Sequence, residues 1–252
     1  MNNQNIFFSQ EKFSIDELPA LDIAVSRLLL DKVNSNEYSS LLRLYEGHTQ
    51  VAFGPSDIRK PGYQLAVQEA KKKKFFVVNR LTGGHAVTFH DGILAFAFMF
   101  HDREARSKMH YYFNFVSSIL QDALGSLGFA CNVGELTGEY CPGQYSINIE
   151  NKIKIAGIAQ RIVANAVYVG GFIAVSNADL IKEILVPVYS HLEIDWNPNT
   201  VGSLENYKSD IKKNDVIDAI KNRLSSFYKI KQLSIEQALI QDASKDQSKY
   251  CN

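Results

Sequence analysis

The chain has 252 residues, 46% hydrophobic and 21% charged, enough length and apolar content to bury a substantial core. Lysine plus arginine and aspartate plus glutamate both total 27, which excludes a global field that would recruit nucleic acid or a membrane surface. The odd cysteine count (Cys131, Cys141 and Cys251) argues against a disulfide framework, and their spacing fits no metal site.

Leu21, Val25, Leu28 and Leu29 recur at helical spacing behind an acidic first turn at Asp16, which predicts a helix over residues 15–33. Strand-like runs follow at 40–45 and 49–53, joined by the turn residues Glu46-Gly47-His48. Pro61 suits a first helical residue and opens a short helix through Ala66 and Ala70 to Lys74. Its four closing lysines, residues 71–74, meet the negative end of the helix dipole, with docking of an acidic carrier domain as the alternative. Residues 75–80 read as a buried strand, 81–84 as a tight turn, 85–90 as the returning strand, and 93–100 as a further apolar strand. That last run is the longest apolar stretch and is too short to span a bilayer. The glycine-free run 104–124 predicts a second major helix, ended by Gly125 and Gly128.

From 129 to 176 the pattern is almost wholly β. Tyr145-Ser146-Ile147-Asn148-Ile149 alternates, turns at Glu150-Asn151 and returns through Ile153 and Ile155. Simple pairing across that turn sets Lys154 opposite Ile147, so any contact with Cys141 requires the intervening loop to fold back. Gly157 breaks the parity and predicts a bulge or a close backbone approach. Helices are expected at 179–191, 215–228 and 234–243, followed by a polar tail, 244–252, expected to fray. With no internal repeat or low-complexity linker, the expected organisation is one α+β domain over 1–243, a largely antiparallel central sheet flanked by helices. The polar start Met1-Asn2-Asn3-Gln4-Asn5 lacks the order of a secretory signal, so the expected compartment is the cytoplasm.

Two segments carry chemistry. In Arg80-Leu81-Thr82-Gly83-Gly84-His85-Ala86-Val87, adjacent glycines let backbone N–H groups approach a ligand, and Arg80 can reach a carboxylate, phosphate or amide oxygen. A plain hairpin turn is the alternative, and the spacing is not that of a P-loop. In Glu139-Tyr140-Cys141-Pro142-Gly143, the Pro-Gly pair prevents a regular strand, which puts the Cys141 thiol on a loop at the sheet edge. Cys141 is either a small buried hydrophobe or a nucleophile that holds an acyl group as a thioester. Lys154, thirteen residues on, is either a solvated strand lysine or a cation that favours the thiolate and steadies developing charge. Cys131 reads as structural and Cys251 as incidental. The six histidines show no metal-site spacing, and none is marked as a catalytic base.

Together these segments resemble the lipoate–protein ligase and octanoyltransferase family, related to biotin–protein ligases. The resemblance rests on the arginine and Gly-rich turn at 80–87, then Pro142-Gly143-Gln144-Tyr145-Ser146-Ile147-Asn148 and Lys154-Ile155-Ala156-Gly157-Ile158-Ala159-Gln160-Arg161, and covers roughly residues 15–205. Where ligases show a third glycine the chain has His85, and roughly fifty residues follow Leu204 where ligases often add an accessory domain. Cys141 stands where cysteine-dependent octanoyltransferases resemble one another, and 196–204 is similar, more weakly, to the octanoyl amidotransferase branch. The resemblance implies a cytoplasmic acyltransferase that needs no cofactor. It would take octanoyl or lipoyl from glycine-cleavage H protein or acyl carrier protein to lipoyl domains of 2-oxoacid dehydrogenases. Cys141 and Lys154 would be catalytic. Arg80, Gly83, Gly84, His85, Ala86, Val87, Ile155, Gly157, Ile158 and Ala159 would bind substrate, with Val87, Ile155 and Ile158 lining a tunnel for the acyl chain. The alternatives are an ATP-dependent ligase and a non-catalytic acyl-binding or carrier-docking module.

Overall fold

The computed structural model describes residues 4–13 and 18–251. Its strands are β1 (Asn5–Ser9), β2 (Ser40–Tyr45), β3 (Gln50–Phe53), β4 (Phe76–Asn79), β5 (Val87–Phe89), β6 (Ile93–His101), β7 (Cys131–Val133), β8 (Ile147–Ile149), β9 (Ile153–Ile162), β10 (Ala166–Ala174) and β11 (Lys229–Gln232). The helices are α1 (Leu21–Asn34), α2 (Tyr63–Lys72), α3 (Met109–Ser126), α4 (Ala178–His191), α5 (Lys213–Leu224) and α6 (Gln237–Asp246). Eight strands form a sheet in the order β11-β1-β2-β6-β10-β9-β8-β7, antiparallel except where β1 lies parallel to β2 and β11. A second sheet has the order β4-β3-β5. The fold is α+β, with a largely antiparallel central sheet flanked by helices.

Side-chain alternation divides the central strands between two faces. Leu94, Phe96, Phe98 and Phe100 of β6, with Val167, Val169 and Ile173 of β10, pack under α3 and α5. The intervening residues serve two neighbours on the opposite face. Ala97, Met99 and Tyr168 meet α1 and α6, whereas Ile93, Phe172 and Ala174 meet the small sheet with α2 and α4. The seam between those two neighbours is where the site forms.

Several expectations are corrected. β2 and β3 are not a hairpin but belong to different sheets, because β2 finds its antiparallel partner in β6. β4 and β5 do not pair either: β3 lies between them, parallel to β4 and antiparallel to β5. Residues 81–84 therefore cross one strand instead of closing a hairpin. The predicted start of α1, with Ile15 and Asp16, lies outside the described residues. Pro61 precedes α2, whose N-cap is Gly62, because 54–62 is a run of turns. Turns also fill 104–108, so α3 starts at Met109; Gly125 falls inside it, and Gly128, at φ 96°, follows its end. The tail expected to fray is ordered to Cys251, which pairs with Val78, while Tyr250 packs into apolar clusters.

The β8–β9 hairpin also differs from simple pairing. Ile149 faces Ile153 across a three-residue turn in which Glu150 and Asn151 are left-handed, so Lys154 stands opposite Asn148, not Ile147. A register shift then puts Ile147 opposite Ala156. Among the described residues, no helix is long and apolar enough to cross a membrane.

Candidate active site

A cavity of about 600 Å³ occupies the seam between the sheets. Its floor exists because β10 carries Gly170 where an inward side chain would stand: a Cβ there would lie 2.4 Å from the Tyr168 ring. Tyr168 and Phe172 flank that gap, Ala52, Val87 and Phe89 of the small sheet form a wall, and Ile158 and Ile162 of β9 another. Such an apolar, concave site suits a hydrocarbon chain.

Cys141 lines one end of this cavity. It sits in the loop 134–146 at φ 43°, a left-handed conformation uncommon outside glycine. Several contacts hold it there. Its backbone N–H donates to the Tyr189 hydroxyl (3.0 Å), which itself donates to Ala86 O (2.9 Å). Burial pushes the Tyr189 hydroxyl well above the usual phenol range, so it is a neutral link between loop and Gly-rich turn. The sulfur lies against Gly84, at φ 103°, where a Cβ would come within 2.7 Å of Sγ. Only glycine permits that approach. Arg80 Nη1 lies 3.4 Å from Sγ and donates to His85 O at 2.8 Å, while its Nε and Nη2 bond Thr82 Oγ1. The guanidinium is thus a fixed positive charge beside the thiol, a partnership that the sequence did not disclose.

Lys154 is fully buried, and its ammonium donates to Glu139 Oε1 (2.8 Å), Tyr140 O (2.9 Å) and Cys141 O (2.9 Å). All three donors are engaged, so the lysine meets Cys141 through its carbonyl, not its sulfur. The loop folds back as the contact requires, but the ammonium has no free donor left with which to steady developing charge on a substrate. Glu139, also buried, accepts from Leu136 N, Gly143 N and Ser146 Oγ as well, and so organises the whole loop. Sequence reasoning gave neither Glu139 nor Tyr189 a role. Glu139 had a signal, an acidic residue amid apolar and turn residues with a lysine on the next strand; Tyr189, 48 positions from Cys141, had none.

Of the other residues singled out, Arg80, Gly83, Gly84, Val87, Gly157, Ile158 and Ala159 line the cavity. Ile155 does not line the cavity but is buried in the cluster under α3 and α5; it is the unpaired residue at the register shift between β8 and β9, which interrupts the alternation that Gly157 and Ala159 follow. Ala86 is buried in the cluster around the small sheet. His85 is not among the residues that line the cavity; its Nδ1 lies 2.7 Å from Asp57 Oδ1. Gly157 makes the close backbone approach expected of it, with a hypothetical Cβ 2.6 Å from Phe172. Burial raises the Cys131 thiol to about 11, and Cys251 donates to Gln247 Oε1. Among the described residues, no cluster of three or more histidine, cysteine or acidic side chains could hold a metal ion.

The two-sheet α+β frame is shared with solved lipoate protein ligases. The bipartite lipoate protein ligase from Thermoplasma acidophilum, solved in a study of an archaeal lipoylation system, superposes with a TM-score of 0.73, covering 98% of this chain and 92% of that one at 16% identity. The profile of the lipoyl protein ligase A/B catalytic domain matches residues 19–225, and the chain belongs to that family. A lipoyl-GcvH:protein N-lipoyltransferase of Listeria monocytogenes is 26% identical over 234 residues, 86% of this chain and 82% of the relative. An octanoyl-GcvH:protein N-octanoyltransferase of Geobacillus kaustophilus is 25% identical over 181 residues, 72% of this chain; the match spans 60% of that relative's length.

Proposed function

We propose that the chain is an acyltransferase of protein lipoylation that moves an octanoyl or lipoyl group from a donor carrier, glycine-cleavage H protein, to a lysine of lipoyl domains of 2-oxoacid dehydrogenases. The relatives' names support the donor and the acyl group. The observation that carries the reading is the placement of Cys141 Sγ at the head of an apolar cavity, against Gly84 and 3.4 Å from the Arg80 guanidinium.

In the first step the Cys141 sulfur attacks the donor's acyl carbonyl. A C–S bond forms, the C–N bond to the donor lysine breaks, and that amine leaves with a proton. In the second step the amine of an acceptor lysine attacks the thioester, a C–N bond forms as the C–S bond breaks, and the proton that the amine gives up returns to the sulfur as the thiol. Arg80 offsets negative charge at the sulfur in both steps. The Cys141 amide is held by Tyr189, so the backbone around Gly83 and Gly84 is the candidate donor to the carbonyl oxygen. Lys154 acts by holding the loop. The hydrocarbon chain fills the cavity, each buried CH₂ contributing about 0.8 kcal/mol. No cofactor enters these steps. An ATP-dependent ligase would place nucleotide phosphates near the Gly-rich turn. There His85 replaces a glycine and pairs with the buried Asp57 carboxylate, which disfavours further negative charge.

Intact-protein mass spectrometry tests the reading with octanoylated H protein and octanoyl-acyl carrier protein as separate donors. The expected result is a hydroxylamine-sensitive octanoyl adduct that is absent from Cys141→Ala. Lack of an adduct with either donor, together with lipoyl-domain modification only when ATP and free lipoate are supplied, would overturn it in favour of the ligase.

A further inference from the structure

The cavity is not lined by hydrocarbon alone. Gln50, the first residue of β3, lines it, is 3% exposed, and has an Oε1 with no hydrogen-bond partner. A buried carboxamide oxygen left unpaired is unfavourable, so its retention against a ligand site marks a ligand that donates to it. The Ser26 hydroxyl, which also lines the cavity, is already engaged, its Oγ accepting from Arg43 Nη1 at 3.0 Å. Gln160 also has an unpaired Oε1 on the cavity wall, but its amide nitrogen donates to the backbone of Met109, an exposed residue at the mouth.

The distance of Gln50 from the sulfur follows from β3 itself. Gly54, just past the strand, abuts the turn that carries the sulfur's neighbour, since a Cβ on Gly54 would lie 1.7 Å from Gly84 O. Gln50 is four residues back along extended chain, about 13 Å away along the strand. An acyl chain of eight carbons on the sulfur reaches about 10 Å along its C–C bonds, and the glutamine side chain spans the remainder. Its amide therefore meets the last carbons of the chain. An octanoyl group offers only a methyl there. A lipoyl group in its dithiol form carries S–H donors on the sixth and eighth carbons.

Resting on the transfer reading, we infer that Gln50 recognises the sulfur-bearing end of the acyl chain, accepting from a thiol of a dihydrolipoyl group, and that the enzyme transfers dihydrolipoyl in preference to octanoyl. The test uses the full chain and one lipoyl-domain acceptor with three donors: H protein carrying octanoyl, oxidised lipoyl or reduced dihydrolipoyl. We expect kcat/KM for dihydrolipoyl to exceed that for octanoyl by about five- to tenfold, with oxidised lipoyl losing the advantage for want of a donor. In Gln50→Met, similar in volume but without the acceptor, the ratio should fall to within a factor of about two. Octanoyl transfer without dihydrolipoyl preference in the wild type, or an equal loss of both activities in Gln50→Met, would overturn the inference and leave the transfer reading intact. Failure to transfer any of the three groups would sink both. Should Gln50→Met not fold, the wild-type ratio and its dependence on reduction still decide.

Discussion

Holding Cys141 in left-handed backbone costs about 1 kcal/mol or more, and the loop recovers that cost through contacts on every side of the residue. Its amide is fixed by Tyr189, its carbonyl by Lys154, and its sulfur by Gly84 and Arg80. Cys131 has a different setting: buried in the main apolar cluster, with a thiol raised to about 11 by desolvation. The two cysteines should separate by chemistry. Iodoacetamide at neutral pH is expected to label Cys141 first and Cys131 only on unfolding, as peptide mass spectrometry would show. Arg80→Gln should slow both Cys141 alkylation and acyl transfer, the latter by about 10²-fold. Arg80→Lys should not restore it, because an ammonium cannot span Thr82, His85 O and the sulfur together. Equal labelling of Cys131 and Cys141 in the folded protein would contradict this assignment.

The loop 134–146 has no regular structure and is held by one buried ion pair, Lys154 with Glu139, both side chains fully inaccessible. Removing one partner strands a charge and costs about 3–5 kcal/mol, so Lys154→Met and Glu139→Gln should each lower the melting temperature and release Cys141 from its position. The double variant should regain most of the stability, since neither charge is left alone. If Lys154→Met instead abolished transfer with melting temperature and Cys141 alkylation unchanged, the lysine would act on the substrate and not through the loop. This loop also marks the limit of what local sequence discloses. The Pro-Gly pair showed that Cys141 leaves the sheet, and alternation identified β8 and β9. A turn longer by one residue then moved Lys154 from Ile147 to Asn148, because register depends on loop length, which propensity does not fix. The partners that hold Cys141, namely Tyr189 and Arg80, come from distant segments, and although Arg80 stood out by itself, the pairing of either with Cys141 left no local trace.

Across the whole molecule, the strands between residues 40 and 176 were legible, but β1 and β11, which pair from opposite ends of the chain, were not, and neither was the partition into two sheets that sends β2 to β6. The join between α1 and the central sheet was also invisible. There Arg43 of β2 and Asp22 of α1 form an ion pair with both side chains buried, and the guanidinium stacks 3.9 Å over Tyr45, a residue lining the cavity. Desolvation raises the Asp22 carboxyl above its ordinary value, and the Arg43 charge only partly offsets it. Arg43→Met removes that offset, so it should destabilise the fold by about 3–5 kcal/mol wherever Asp22 must be ionised. The pH dependence has a definite sign. A carboxyl whose folded pKa is raised binds more protons folded than unfolded between the two values, so stability falls as pH rises through that window. The variant should therefore melt closer to wild type at pH 5 than at pH 8, and adding Asp22→Asn should flatten the difference. Melting curves that show the same deficit at both pH values would mean that Asp22 is not the buried charge that Arg43 neutralises, and the tie between α1 and the sheet would have to rest on packing alone.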